Sequence, residues 1–435
     1  MKTHYRQIAK LLAAALALAV TLPAQAAITL VETEDGWKVQ IMGLVSAWAG
    51  TEDFDEADTP FGPRPAEDST RVITGFNPSK IEFVAIAPEY NGIQVSSYFQ
   101  IATSINGNKT RRTGEQIEFR AADISVATDY GTFSMGRNFA IHDSLPTVND
   151  TSSMRGVGYL CTGSDGAGPN CGHIGTGYSW PDWTAGIRYA TPRLRGLQAR
   201  VGAFDPLESA FGNPGGGAPF ILDGAGFSLF NVSQFGTAIE TDTPVVEAEI
   251  NYSRQFQVGE DASANLLAWA SGLTQKVEDG VSGEDTDING YSFGGRLSFN
   301  TSAGVLGLTG NWTETEGIAE GFLGFGVRCQ DQVCDAVDGN QWYINGDYTV
   351  GGKATFGVSY GEGSEDANAN IGNGNVDREL LMVYLQYQLT PNFNVNIEYQ
   401  DFERKTDDTN SGLAAGIFAQ NEEYDAIMVG GEFRF

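Results

Sequence analysis

From Trp37 onward the chain alternates with a period of two. Trp37, Val39, Ile41, Gly43 and Val45 interleave with Lys38, Gln40, Met42 and Leu44. Ile81, Phe83 and Ala85 do the same with Lys80, Glu82 and Val84, and after the turn at Pro88-Glu89-Tyr90-Asn91-Gly92 so do Ile93, Val95, Phe99 and Ile101 with Gln94, Ser96, Tyr98 and Gln100. Such alternation predicts half-buried strands. It recurs near 115–127, 131–138, 182–191, 196–205, 244–257, 261–274, 288–301, 304–316, 339–349, 352–362, 377–389, 392–404 and 422–435, which with the first three makes sixteen strands. The strand at 115–127 keeps its alternation only with a bulge. An acidic loop is expected from Thr51 to Asp58.

The connections alternate in length. Tight ones fall at Pro88 to Asn91, Thr128 to Gly131, Thr191 to Gly196, Gly259 to Asp261, Thr301 to Gly304, Val350 to Gly352 and Thr390 to Asn392, while the others are long and polar. Short turns on one rim and long loops on the other mark a transmembrane barrel. In lipid every backbone group must pair, so the sheet must close. Aromatics sit near both strand ends, Tyr189, Phe299, Tyr348, Tyr387 and Phe393 by the tight turns and Trp183, Tyr291, Trp342 and Tyr360 by the long loops, as two interfacial girdles require. The fold class expected is therefore all-β: a transmembrane antiparallel β-barrel of about 16 strands. The connection at about 139–181 is too long for an ordinary turn, and loops of that length are usually functional. The lumen is its natural place, where it narrows the pore.

Composition sharpens this picture. Residues 1–26 carry a basic start (Lys2, Arg6, Lys10), an apolar run from Leu11 to Leu22 and the small-residue site Ala24-Gln25-Ala26, the pattern of a secretory signal peptide. The domain organisation expected is that peptide followed by one barrel over 27–435. Its removal takes the formal charge from -29 to -32, since three lysine or arginine residues leave with it. So acidic a chain argues against nucleic acid as a partner. The four cysteines form two close pairs, Cys161/Cys171 and Cys329/Cys334, which in an exported chain imply local disulfides. A zinc site on Cys161, Cys171 and His173 is the alternative, without an evident fourth ligand. Asp285-Thr286-Asp287 opens like a calcium-hand loop, but Arg296 stands where the twelfth-position Glu belongs.

The chain ends Val429-Gly430-Gly431-Glu432-Phe433-Arg434-Phe435, with Phe435 in phase with Phe433, Val429 and Ile427. Here it resembles the Gram-negative outer-membrane porins of the general diffusion type. Gly131-Thr132-Phe133-Ser134-Met135-Gly136-Arg137 is similar to the porin strand that leads into the constriction loop, and Ala185-Gly186-Ile187-Arg188-Tyr189-Ala190-Thr191-Pro192 to the hairpin that follows it. The resemblance implies a water-filled outer-membrane channel for passive diffusion of small hydrophilic solutes and ions, closed at Phe435. It implies as partners a homotrimer, outer-membrane lipid and lipopolysaccharide, and the barrel assembly machinery. It implies no cofactor and no metal. It also implies a waist with basic wall residues facing loop carboxylates; Arg137, Lys80 and Arg188 are the basic candidates, Asp143 and Asp150 the acidic ones. Two departures stand out: the Pro-Glu-Phe-Gly-Gly loop motif is absent, and Asp182 and Trp183 occupy the region of a further family arginine.

By strand parity the inward charges nearly balance, with Lys38, Lys80, Arg188, Arg200, Arg296, Lys353 and Arg434 against Glu82, Glu247, Glu249, Asp347, Glu398 and Glu432. Excess acid in the loops enriches cations at the mouth but is screened beyond about 8 Å at physiological salt, so a weak cation preference is expected. Two rivals remain. A substrate-selective channel for sugar, phosphate or an organic acid is one, with the inward Tyr98 and Tyr343 as a sugar slide. An outer-membrane hydrolase is the more remote, built on His142, Asp143 and Ser144, whose adjacency is only sequential.

Overall fold

The computed structural model describes residues 27–55, 57–59, 62–64, 66–105, 117–161, 170–206, 239–240, 243–279, 285–319, 324–325, 327–330, 333–366, 375–406 and 421–435. The signal-peptide expectation lies outside them. One sheet holds nineteen strands; three are short flanking pieces, Ile28–Glu32, Glu67–Ile73 and Ile239–Glu240, which leaves sixteen in the wall. These are β1 (Lys38–Phe54), β2 (Ser79–Ile86), β3 (Gln94–Thr103), β4 (Ile117–Thr128), β5 (Gly131–Phe139), β6 (Trp183–Ala190), β7 (Leu197–Phe204) and β8 (Val245–Gln257). They continue as β9 (Ser263–Asp279), β10 (Asp285–Thr301), β11 (Gly304–Glu316), β12 (Asp338–Val350), β13 (Ala354–Glu365), β14 (Val376–Thr390), β15 (Phe393–Thr406) and β16 (Glu422–Arg434).

Each strand pairs antiparallel with the next, and β16 returns to β1 from Leu44↔Arg434 up to Phe54↔Tyr424, so the barrel is closed. Closure is completed below that register by a reciprocal pair: Gly43 N–H donates to Phe435 O at 2.7 Å and Phe435 N–H to Gly43 O at 3.0 Å. The Phe435 ring lies where a Cβ at position 43 would come within 2.2 Å of it, so only glycine leaves room for the terminal aromatic. Lower still, Ile28–Glu32 pairs with the start of β1, so the N-terminal piece continues the line of the C-terminal strand.

The sixteen expected strands are all present, and the expected bulge is in β4, where the β3–β4 register slips opposite Gln100 and Ile101 and leaves Arg120 over. The differences are in reach. β1 runs through Thr51 and on to Phe54, because Glu52 faces inward and binds Arg71 (2.6 Å) on the neighbouring Glu67–Ile73 piece. β9 runs to Asp279 and β10 begins at Asp285, so the residues that opened like a calcium hand are plain strand. The line of β2 is interrupted: Glu67–Ile73 precedes it, and the buried break at 74–78 receives the long loop.

Along most of the wall the outward positions are apolar and exposed, for example Val383, Ile397, Ile427 and Val429, as a lipid-facing band requires. At the long-loop ends of β14, β15, β16 and β1 the faces exchange chemistry. There the inward residues are apolar and buried: Leu380, Phe402 and Tyr424 belong to one cluster that continues down the inner wall through Met382, Met428 and Trp48 and takes in loop residues Val157, Tyr159 and Tyr178. The outward residues are acids in direct cross-strand register, Glu379↔Glu403↔Glu423 in one row and Asp401↔Asp425↔Asp53↔Asp68 in another. Like charges directly opposite destabilise a sheet and carboxylates are costly in hydrocarbon, so these ends stand above the apolar band.

Candidate pore lumen and its loop

The polar side of the sheet is a lattice of paired charges. Lys80 Nζ lies 3.3 Å from Glu82, which also accepts from Tyr98 Oη at 2.9 Å. Arg120 binds Glu118 at 2.7 Å. Arg188 binds Asp123, which Asn138 also reaches at 3.1 Å. Arg200 binds Glu249 and also donates to Ser144 Oγ on the loop at 2.7 Å. On the far wall Arg296 pairs with Asp347 at 2.9 Å, Arg378 with Glu365, and Arg434 with Glu432 at 2.8 Å. Each guanidinium named here has a carboxylate within reach, on its own strand (Arg120, Arg434), on the next strand (Arg200, Arg378) or one strand further on (Arg188, Arg296), so its charge is spent on the wall.

The 140–182 segment between β5 and β6 contains one short helix, α1 (Ser144–Asn149), and makes its contacts with these inward side chains. Two carboxylates dock it. Glu247 on β8 accepts from Ile141 N–H at 2.6 Å and His142 N–H at 2.8 Å; Glu398 on β15 accepts from Val157 N–H at 3.0 Å and Gly158 N–H at 2.8 Å. Between them Thr151 donates to Asp347 at 3.1 Å and its carbonyl accepts from Gln386 at 3.0 Å. The far turn reaches the break in the line of β2, where Asn170 donates to Thr74 O at 2.6 Å and Phe76 N–H to Gly156 O at 3.0 Å. On the way back His173 meets Ser359 at 2.5 Å, and Asn311 donates to Gly177 O at 3.0 Å. Both loop histidines are buried, and burial holds each below its ordinary value of 6.5.

The waist candidates are only partly brought together. Lys80 and Arg188 are on the polar face. Arg137 is not: it is in phase with exposed Phe133 and Met135, pairs across to Ala122 and Ala185, and lies on the outer face. The parity of β5 decides this, since positions 133, 135 and 137 must share a side. Asp143 and Asp150 are on the loop but have no exposed surface. Asp143 ties the two arms, accepting from Ser179 N–H at 2.7 Å and Thr313 Oγ1 at 3.0 Å. Asp150 caps the turn at Ser152 and Ser153 and accepts from Tyr178 Oη at 2.9 Å. A loop packed away from water must satisfy its own amides, and both acids are consumed in doing so.

Cys161 and Cys171 form a disulfide, which removes them as zinc ligands. Cys329 and Cys334 face each other in a two-stranded hairpin, and their side chains lie outside the described residues. Tyr343 is buried under the loop, its hydroxyl donating to Pro146 O at 3.2 Å, so it offers no sugar slide. The anchors Glu247 and Glu398 were legible only as inward charges; that they bind loop amides is not written in strand periodicity. Arg155, the only lysine or arginine between Arg137 and Arg188, carried no strand signal and was missed.

A family profile described as Gram-negative porin matches residues 13–407. No curated protein sequence matches the chain. Among solved structures it is similar to the outer membrane channel DcaP of Acinetobacter baumannii, at 14% identity over 94% of this chain and 100% of that one, with a TM-score of 0.61. It is similar to an anion-selective porin from Comamonas acidovorans, at 15% identity over 92% and 100%, TM-score 0.56. It is also similar to Salmonella typhi OmpF in complex with daunomycin, at 13% identity over 94% and 100%, TM-score 0.54. At these identities the likeness is one of fold.

Proposed function

This chain belongs to the Gram-negative porin family and to the outer membrane, and from that premise we propose that it forms a water-filled channel for passive diffusion of small hydrophilic solutes and ions. The observation that carries this reading is the polar, charge-paired inner face of a closed barrel whose outer face is apolar. The 140–182 loop, docked on inward side chains of many strands, is the constriction. Because the wall charges named above are paired off, they leave little fixed field of their own; the net acid of the chain lies at the long-loop rim. We infer a weak cation preference at low salt that fades as salt screens the rim. Assembly as a homotrimer is part of the same proposal.

The hydrolase reading has little support in the site. His142 and Asp143 are buried to within about 1% of their surface and serve the loop's own architecture.

Single-channel conductance of the purified, unboiled protein in a planar bilayer under a salt gradient tests the proposal. Conductance rising with salt, with a small reversal potential of cationic sign that shrinks at high salt, is expected. Absence of channels refutes the pore; a reversal potential of anionic sign refutes the ion preference.

A further inference from the structure

The outgoing arm of the loop decides what a solute touches at the waist. From 140 to 155, five side chains keep accessible surface: Leu145, Val148, Thr151, Met154 and Arg155. None is a carboxylate, since Asp143 and Asp150 are turned inward on the loop. The return arm from 170 to 179 is buried throughout, so the outgoing arm supplies the face that the loop turns to the lumen. Leu145 and Val148 are three apart on α1 and share one side of it. The other helix residues Ser144, Pro146, Thr147 and Asn149 are buried, and the helix packs towards β10 and β11. Leu145 and Val148 are only half-buried and belong to neither of the two buried apolar clusters.

The wall beside this arm has a bias of its own. Arg200 Nη2 donates to Ser144 Oγ at 2.7 Å, one residue before Leu145, and Arg296 Nη1 reaches Thr151 Oγ1 at 3.5 Å, three residues after Val148. In both wall pairs the base is the accessible member. The Arg200 side chain is 24% exposed against 1% for Glu249, and that of Arg296 17% against 4% for Asp347. Lys80 with Glu82 and Arg188 with Asp123 lean the same way. Arg200 Nη1 has no partner among the described residues. At a distance these pairs cancel, but at contact a solute meets guanidinium N–H groups and not carboxylates.

We propose that the waist favours an amphipathic organic anion, a carboxylate on a short hydrocarbon chain. The carboxylate accepts from the exposed edge of Arg200, and the hydrocarbon lies along Leu145 and Val148, out of water. Arg296 offers a second accessible donor at the other end of the apolar stripe. An alkyl cation finds the same hydrocarbon surface but no accessible carboxylate beside it. The amphipathic waist rests on the channel reading and gives that channel a solute class. It also departs from the family resemblance, which had implied an acidic loop face. The cation preference inferred above concerns small ions at the rim and is separate from this contact.

The test is sodium hexanoate titrated against sodium chloride at constant ionic strength, on single channels of the full chain, with sodium acetate and hexylammonium chloride as comparisons. Hexanoate should cause a saturable fall in conductance. Acetate has the head without the chain and hexylammonium the chain without the head, so each should act about tenfold more weakly, the scale of two buried methylenes or one charge-assisted bond. The double variant Leu145→Ser/Val148→Ser should raise the half-effect concentration of hexanoate by about tenfold and leave that of acetate unchanged. Arg200→Gln/Glu249→Gln, which removes base and acid together, should weaken hexanoate and acetate alike. Open-channel currents from each variant report that it has folded. Hexanoate acting no more strongly than acetate or than hexylammonium, or Leu145→Ser/Val148→Ser responding as native does, overturns the amphipathic waist while the pore stands. Absence of channels from the native protein overturns both.

Discussion

Truncation of Glu398 to alanine tests whether the loop is held at its far turn by the wall. The side chain accepts from two loop amides, at 3.0 and 2.8 Å, and from Gln400 at 2.6 Å. A hydrogen bond to a charged group contributes about 1.5–3 kcal/mol net, so the two loop bonds together hold this turn by roughly 3–6 kcal/mol. At about 1.4 kcal/mol per factor of ten, their loss raises the population with residues 156–160 detached by roughly a hundred- to ten-thousand-fold. The other anchors, Glu247 at the loop's start and the His173 contact on its return, stay intact, so the turn lifts while its ends remain docked. The assay is open-channel current noise and conductance in planar bilayers. Glu398→Ala should add flicker between the native level and a wider one. Glu398→Gln should fall between the two proteins, since an amide keeps one acceptor and turns a donor towards the second amide. Native noise and conductance in Glu398→Ala, with Glu398→Gln indistinguishable from both, would refute the anchoring argument.

Three further outcomes follow from the same geometry. Gly43→Val places a side chain where the Phe435 ring lies 2.2 Å away, an overpacking cost of about 1–3 kcal/mol; the yield of heat-modifiable folded barrel on gels should drop, and Phe435→Ala in the same chain should restore part of it. Cys161→Ser opens a loop closed over a separation of 10 residues, removing a restraint of about 2–4 kcal/mol from the loop, so current noise should rise in it as it does in native channels treated with reductant. Acidification should loosen the loop: His142 and His173 have folded values depressed from 6.5 by burial, so below that value the undocked loop binds more protons than the docked one. Stability is then full above 6.5 and falls as pH drops towards the depressed values, and noise should grow in that window, less so in His173→Gln.

Strand number, the alternation of turn lengths and the bulge in β4 were all readable, because each follows from local period and turn chemistry. The reach of β1 and β9 was not, since their upper ends are polar outward and stay in the sheet only through cross-strand partners such as Arg71 for Glu52. Arg137 shows a different failure. Its own strand already placed it with Phe133 and Met135, and the family resemblance suggested the opposite face; parity was the better guide. Asp143 and Asp150 were correctly located on the loop, but a sequence does not say whether a loop carboxylate faces solute or its own backbone. Burial decides, and here it turned both inward on the loop.

The exchange of faces at the tops of β14, β15, β16 and β1 fixes where the membrane ends. β14 has 15 residues, which at about 3.4 Å per residue and a tilt near 40° rise about 39 Å, against an apolar band of about 25 Å. The excess is at the long-loop end, where the two acid rows lie. Tyr360 and Tyr399 mark the border, the first donating to Glu362 at 2.6 Å and Glu379 at 3.0 Å, the second to Asp425 at 2.5 Å. Their rings lie on the outer face and their hydroxyls meet carboxylates, the arrangement an interfacial aromatic adopts. The apolar cluster that clamps Val157, Tyr159 and Tyr178 runs from the level of those acids, at Leu380, Phe402 and Tyr424, down to Met428 in register with Glu398. Arg155 sits lower, level with Gln386 and Glu398, where the outward neighbours Leu385 and Ile397 face lipid. The hydrophobic packing that secures the loop thus starts above the membrane and continues into its span, where the loop presents its only strong base.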